Sequence, residues 1–206
     1  MNYIAVDTSG KHLTVIVAKD GKTYKLFEKD CGVKHSSALM PALERLLSEA
    51  EFDIKDADFI ACAVGAGSFT GIRIGVATVK ALCFAYKKPA LSITSFDSIA
   101  YNVKGGVNGK ILAVIDAGHG GYYACGYDEN MKVDIPPSYL PEAEILRLKK
   151  DRIAAAAEDL PSIGVTLACV CDGLAQAAEA KSGETVAPDA LTPQLYIRKS
   201  QAEEGR

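Results

Sequence analysis

The sequence predicts an α/β protein built from two copies of one unit, a strand that ends in aspartate and returns as a hairpin. Three observations carry that prediction. Ile4-Ala5-Val6-Asp7-Thr8-Ser9-Gly10 and Ala113-Val114-Ile115-Asp116-Ala117-Gly118-His119 share an apolar run, an Asp, small residues and a returning strand, and such self-similarity marks a duplicated unit. Helical periodicity follows each copy. Between them, Val64-Gly65-Ala66-Gly67-Ser68-Phe69-Thr70-Gly71-Ile72-Arg73-Ile74-Gly75 sets glycines and hydroxyls between a strand-like and a helix-like run.

Tyr3 to Thr8, His12 to Ala18 and Thr23 to Lys29 read as strands, with Leu13, Val15 and Val17 alternating in the second and Asp20-Gly21 as a hairpin turn. Leu39, Leu43, Leu46, Leu47 and Ala50 have helical spacing, and Ser36 or Ser37 is the expected N-cap. Phe59 to Val64 is a short apolar strand, and a second helix from Ile72 to Tyr86 stops at Lys87-Lys88-Pro89. Pro89 to Thr94 reads as a strand and Ser95 to Tyr101 as a short helix. The glycine-rich linker Lys104-Gly105-Gly106-Val107-Asn108-Gly109 then divides the chain into 1–104 and 105–206. Beyond it, Lys110 to Ala117, Tyr122 to Asp128 and Met131 to Ile135 read as strands and Pro141 to Lys150 as a helix. Val165 to Cys171 reads as a strand and Gly173 to Lys181 as an Ala-rich helix, before a polar tail from Tyr196 to Glu203.

The helix 72–86 is apolar almost all round, so it must be covered on nearly all sides. Burial by the rest of this chain and docking on another subunit both meet that demand, and from sequence both stay open.

With 206 residues the chain can bury a substantial core. No apolar run approaches the roughly 18 residues of a membrane span, and the N-terminus lacks an export signal, so no membrane helix and a cytoplasmic location are expected. Six cysteines without a Cys-x-x-Cys pair read as buried free thiols; Cys169 and Cys171 would share one face of a strand. A net charge of −3 opposes nucleic-acid binding by the chain alone.

Glycines at such a turn permit close backbone approach, and amides at a helix N-terminus favour an anion. Phosphate, carboxylate or a partner's acidic group fits the loop, and so does a turn that binds nothing. The spacing is neither a Walker loop nor the dinucleotide fingerprint. His12, His35 and His119 lie far apart, none with a second ligand at helical spacing.

The two aspartate hairpins resemble the actin and sugar-kinase (ASKHA) architecture, in which they face each other across a cleft and handle nucleotide phosphates and Mg²⁺. Asp7 and Asp116 are the matching positions. The expected fold is therefore a duplicated actin/sugar-kinase-like α/β fold with two mixed-sheet subdomains, the second reduced. Together with the glycine loop, the hairpins make the chain resemble the TsaB (YeaZ) family, whose members help make threonylcarbamoyladenosine in tRNA. The resemblance also rests on Asp7-Thr8-Ser9, His35-Ser36, Leu39-Met40-Pro41 and Tyr196-Ile197-Arg198-Lys199-Ser200-Gln201-Ala202-Glu203. The family's loop usually reads Gly-Pro-Gly where this chain has Gly65-Ala66-Gly67, and its second hairpin Asp-Ala-Arg where this chain has Asp116-Ala117-Gly118.

In the catalytic relative TsaD, a His-x-x-x-His metal motif falls where this chain has Ser95 and Ile99. Serine is a poor ligand and isoleucine has no donor atom. The resemblance thus implies a non-catalytic paralogue with no catalytic residue, no metal site and no intrinsic cofactor. It implies a scaffold subunit that dimerises with and activates a TsaD-like threonylcarbamoyltransferase acting on ANN-decoding tRNAs, and a homodimer when alone. A TsaE-like ATPase, and tRNA through the complex, are further implied partners; ATP or ADP and Mg²⁺ are expected only in that complex. Leu39, Leu43, Leu46, Val76, Val79 and Cys83 are the expected partner seam. Asp7, Ser9, Gly67, Ser68, Thr70, Gly71, Arg73 and Asp116 form the candidate nucleotide or anion site, and Arg73, Arg198 and Lys199 are candidates for tRNA phosphates. The fold pattern alone also allows an ATP-dependent phosphotransferase in which Asp7 and Asp116 position Mg²⁺ and a hydroxyl acceptor.

Overall fold

Two strand–aspartate–hairpin units stand at the centre of the computed structural model, which describes residues 1–106, 108–118, 120–166, 170–193 and 197. In the first unit, β1 (Tyr3–Asp7), β2 (Leu13–Lys19) and β3 (Lys22–Glu28) form an antiparallel meander. Asp20 (φ 51) and Gly21 (φ 80) are both left-handed, as a type I′ two-residue turn requires. Helix α1 (His35–Glu49) crosses to β4 (Phe59–Ala63), parallel to β1, and α2 (Phe69–Tyr86) to β5 (Ala90–Ile93), parallel to β4. The strand order is β3-β2-β1-β4-β5.

After α3 (Ser95–Lys104), the meander recurs as β6 (Ile111–Asp116), β7 (Gly121–Tyr127) and β8 (Val133–Pro141). Helix α4 (Glu142–Leu148) then leads to β9 (Ile153–Ala155), parallel to β6, in the order β8-β7-β6-β9. The second sheet repeats the first but, among the described residues, has no counterpart of β5. This is the duplicated actin/sugar-kinase-like fold with a reduced second half.

Alternation along β1 sorts its side chains between two cores. Ile4 and Val6 pack with α1 and α2, while Tyr3 and Ala5 pack with α5 (Cys171–Ala180), which returns to the first sheet from the far end of the chain. Helix α3 sends Phe96, Ile99 and Ala100 into the second sheet, and α4 covers that sheet's other face through Ile145. The layers therefore run α1/α2, first sheet, α3/α5, second sheet, α4.

Several sequence expectations are corrected. Helix α1 starts at His35 with Lys34 as cap residue, and Ser37 Oγ donates to the Lys34 carbonyl at 3.0 Å instead of capping the helix. Ile153–Ala155, for which the sequence carried no assignment, is a strand. Of the strand expected over 165–171, Val165 makes an isolated bridge with Leu160 and Cys171 opens α5, while 167–169 lie outside the described residues. His119, Cys169, Tyr196, Arg198, Lys199 and the rest of the polar tail beyond them lie outside the described residues.

Helix α2 has 18 residues and a mean hydropathy of 1.3, long and apolar enough for a membrane span by those two measures, contrary to the expectation above. Its Ile72, Val76, Val79 and Cys83, spaced by 4, 3 and 4, are at most 5% exposed in the core under the first sheet. That is the one-sided burial of a core helix.

Candidate functional site between the two hairpins

Strands β1 and β6 end alike. Asp7 Oδ1 accepts the Ser9 amide hydrogen at 2.8 Å, and Asp116 Oδ1 accepts that of Gly118 at 2.8 Å. The two turns face each other across an open groove whose walls include Ser9, Lys11, Gly67, Ser68, Asp116 and Glu158. Asp7 lies below, 7% exposed, and burial pushes its carboxyl up while the bonds from Ser9 pull the other way. Ser9 Oγ donates to Asp7 Oδ1 at 2.7 Å, so across the 2.7 Å contact between Ser95 and Ser9 it is Ser95 Oγ that donates.

The glycine loop is held by the chain's own first hairpin. Ser68 N–H donates to the Ser9 carbonyl at 2.6 Å, Thr8 Oγ1 donates to the Gly71 carbonyl at 2.7 Å, and Ser68 Oγ caps α2 by accepting from Gly71 N–H at 3.2 Å. A Cβ at Gly67, which sits at φ +146, would overlap the Ser9 carbonyl; one at Gly71 would overlap that of Thr8. The amides of Ser68 and Gly71 are thus bonded internally, which leaves the loop fewer donors for an anion than its composition suggests. Arg73 stacks its guanidinium on the Phe69 ring at 3.8 Å. Thr70 and Arg73 are exposed on α2 and are not among the groove's walls, whereas Gly71 packs beneath it.

Ser95 and Ile99 stand one turn apart on α3, 5% and 2% exposed, and line with Asp7 a cavity of about 40 Å³. Lys11 and Glu158 pair above it at 2.5 Å, joining the two units. Among the described residues no three His, Cys, Asp or Glu side chains are grouped to hold a metal ion. Ser95 and Ile99 bring a hydroxyl and a hydrocarbon to this cavity, the first a poor metal ligand and the second none.

Sequence reading missed the polar link beneath this site. Asp97 Oδ2 accepts the Thr94 N–H and the Lys181 ammonium, both at 3.0 Å, while Oδ1 accepts the Tyr127 hydroxyl at 3.0 Å. The available signal was Thr94-x-x-Asp97, a capping box that closes with Asp97 N–H on Thr94 Oγ1.

His35 is buried, and its Nε2–H donates to the His12 carbonyl at 3.2 Å. Burial holds its pKa below 6.5, outweighing that bond and the nearby Asp7. As pH falls through 6.5 the unfolded chain takes up this proton first, so His35's contribution is complete above 6.5 and is lost below it. Unfolding free energy should drop by up to about 1.4 kcal/mol per pH unit there. Urea titrations from about pH 7 to 5 should show this slope flattened in His35→Gln; equal slopes in both proteins would clear His35 of responsibility.

The expected partner seam needs correction. Leu39, Leu43, Leu46, Val76, Val79 and Cys83 are all buried in this chain's own core, leaving no side-chain surface for another subunit. The outward face of α2 instead carries Phe69, Ala77, Ala81 and Phe84.

Fold and site define a duplicated aspartate-hairpin protein of the actin/sugar-kinase class. A family model described as TsaD, tRNA N6-adenosine threonylcarbamoyltransferase, matches residues 29–190, well over half of the chain. The "tRNA threonylcarbamoyladenosine biosynthesis protein TsaB" of Buchnera aphidicola subsp. Schizaphis graminum is 33% identical over 47% of this chain and 46% of its own. The protein of that name from Escherichia coli is 30% identical over 63% of this chain and 57% of its own. The matches span about half the length of these two relatives. The solved structure "YeaZ from Pseudomonas aeruginosa" superposes with a TM-score of 0.77 at 21% identity, covering 94% of this chain and 99% of that one, a likeness of fold. The chain belongs to the TsaD family and groups within it with the TsaB (YeaZ) proteins.

Proposed function

We propose that this chain is a non-catalytic, cytoplasmic scaffold subunit in tRNA threonylcarbamoyladenosine biosynthesis, which binds and activates a TsaD-like catalytic protein through the outer faces of α1 and α2. The observation that carries this reading is the set of exposed apolar side chains on those helices. Phe69 and Phe84 of α2 are 38% and 57% exposed and Met40 of α1 is 39% exposed, in a chain whose relatives are named for that pathway. Large apolar side chains left exposed on neighbouring helices favour a partner. Because Ser95 and Ile99 supply no imidazole, the chemistry falls to the other subunit.

The proposal includes a homodimer when the partner is missing, a TsaE-like ATPase, tRNA held jointly with exposed Arg73 contributing, and ATP or ADP with Mg²⁺ only in the assembly. It also keeps the division of the chain into 1–104 and 105–206. Light scattering of the purified chain mixed with a TsaD-like protein should give a heterodimer, and Phe84→Glu should weaken it about 100-fold. A wild-type monomer that ignores the partner would sink the proposal. The phosphotransferase reading has less behind it, since the Ser68 and Gly71 amides are bonded within the chain; ATP turnover abolished by Asp7→Ala would revive it.

A further inference from the structure

We propose that the cavity beneath the Lys11–Glu158 pair binds a monovalent metal cation, Na⁺ or K⁺, with Asp7 as its counter-charge. The cavity lies between the first hairpin, α3 and the second sheet, and Asp7, Ser9, Ser95 and Ser98 bring oxygen to its walls.

Asp7 has no ion pair among the described residues. Lys11, which lines the cavity, is engaged by Glu158, His12 Nδ1 accepts the Asp30 N–H at 3.1 Å, and burial disfavours the charged form of His35, the nearby imidazole that would otherwise balance Asp7. Burying a carboxylate without a compensating charge is costly. The hydroxyl hydrogens are already directed along one chain, from Ser95 to Ser9 and from Ser9 to Asp7. That polarity leaves the lone pair of Ser95 as an acceptor.

An independent observation comes from Ser98. It is 1% exposed, lines the same cavity, and its Oγ has no hydrogen-bond partner. Buried hydroxyls without partners are rare enough to need an explanation. The oxygens of Asp7, Ser9, Ser95 and Ser98, set in an otherwise largely apolar lining, suit a hard cation and offer little to a soft one.

Size and charge narrow the choice. A cavity of about 40 Å³ accommodates an ion. A single positive charge balances Asp7. A divalent ion would leave an uncompensated charge against Ile99, Val114, Ile115 and Ala157.

The test uses the isolated full chain and does not depend on any partner subunit. Urea unfolding at fixed pH and ionic strength is compared in NaCl, KCl and N-methyl-D-glucamine chloride. The midpoint should be higher in NaCl or KCl, and above the dissociation constant each tenfold rise in that cation should multiply the folding constant about tenfold. Asp7→Asn should abolish the difference. Ser98→Ala, which removes one unpartnered hydroxyl and should fold, should shift the dependence to several-fold higher cation concentration. Crystals soaked in RbCl should show an anomalous peak in the cavity. Coincident midpoints in all three salts, or Rb⁺ peaks confined to the surface, would overturn the assignment.

Discussion

Replacing Asp97 with alanine is expected to lower the unfolding free energy by about 3–5 kcal/mol, because it strands a partly buried cation and two buried donors together. The carboxylate is 4% exposed and joins three elements: the start of α3, the Tyr127 hydroxyl on β7 and Lys181 at the end of α5. Burial works against the charge on Lys181, but Asp97 beside it prevails and raises its pKa, a sign that the pair is formed. The Lys181 side chain is still 25% exposed, so water softens its loss and the lower end of the range is the better expectation. Tyr127→Phe, which removes one donor and leaves the ion pair, should cost about 1 kcal/mol. Urea denaturation of the two variants decides the matter. If Asp97→Ala loses no more than Tyr127→Phe, the network is not what ties α3, β7 and α5 together.

Gly71→Ala is expected to destabilise the protein by about 3 kcal/mol, although helix propensity alone predicts a gain of about 1 kcal/mol for the same change. Packing wins because Gly71 has no room. An added Cβ would fall on the Thr8 carbonyl oxygen, which is backbone of the first hairpin and cannot rotate away, while Thr8 Oγ1 is itself bonded to the Gly71 carbonyl. Relief requires α2 to move off the hairpin, and Gly75, where a Cβ would stand 2.5 Å from Thr8 Oγ1, shows that the approach continues for another turn. Gly105, just past α3, has nothing within 4 Å of its ideal Cβ, and Gly105→Ala should stay within about 0.5 kcal/mol of the parent. Thermal or urea melts in which the two substitutions behave alike would mean that α2 yields more easily than this geometry allows.

The parts of the fold written in local patterns were readable. Strand alternation, the Asp20-Gly21 turn and the repeated aspartate unit each need only a few adjacent residues, and all three appear in the structure. Harder to read was anything that depends on which side of an element faces home. On a helix as uniformly apolar as α2, composition cannot separate Val76 and Val79, which pack on the sheet, from Ala77 and Phe84, which look outward, so the expected partner seam fell on residues buried in this chain's own core. Strand β9 was hidden because Ile153–Ala155 is too short and Ala-rich to show a period. For the candidate site, the sequence named Ser9, Gly67, Ser68 and Asp116, which line one groove, and Asp7, which lies beneath it in the adjoining cavity. It did not reveal that the loop's glycines serve close packing, since Thr8 and Ser9 lie nearly sixty residues earlier in the chain. The Lys11–Glu158 and Asp97–Lys181 pairs were invisible for the same reason: each joins charges far apart in sequence that a solvated surface would explain equally well.

The return of α5 to the first sheet has a bearing on synthesis. Tyr3, Ala5, Phe59 and Leu91 leave the ribosome well before Leu174, Ala177 and Ala178, the residues that shield them. At about 5–20 residues per second, a growing polypeptide therefore carries a finished but half-naked sheet for several seconds, a window in which chaperones would find their hold.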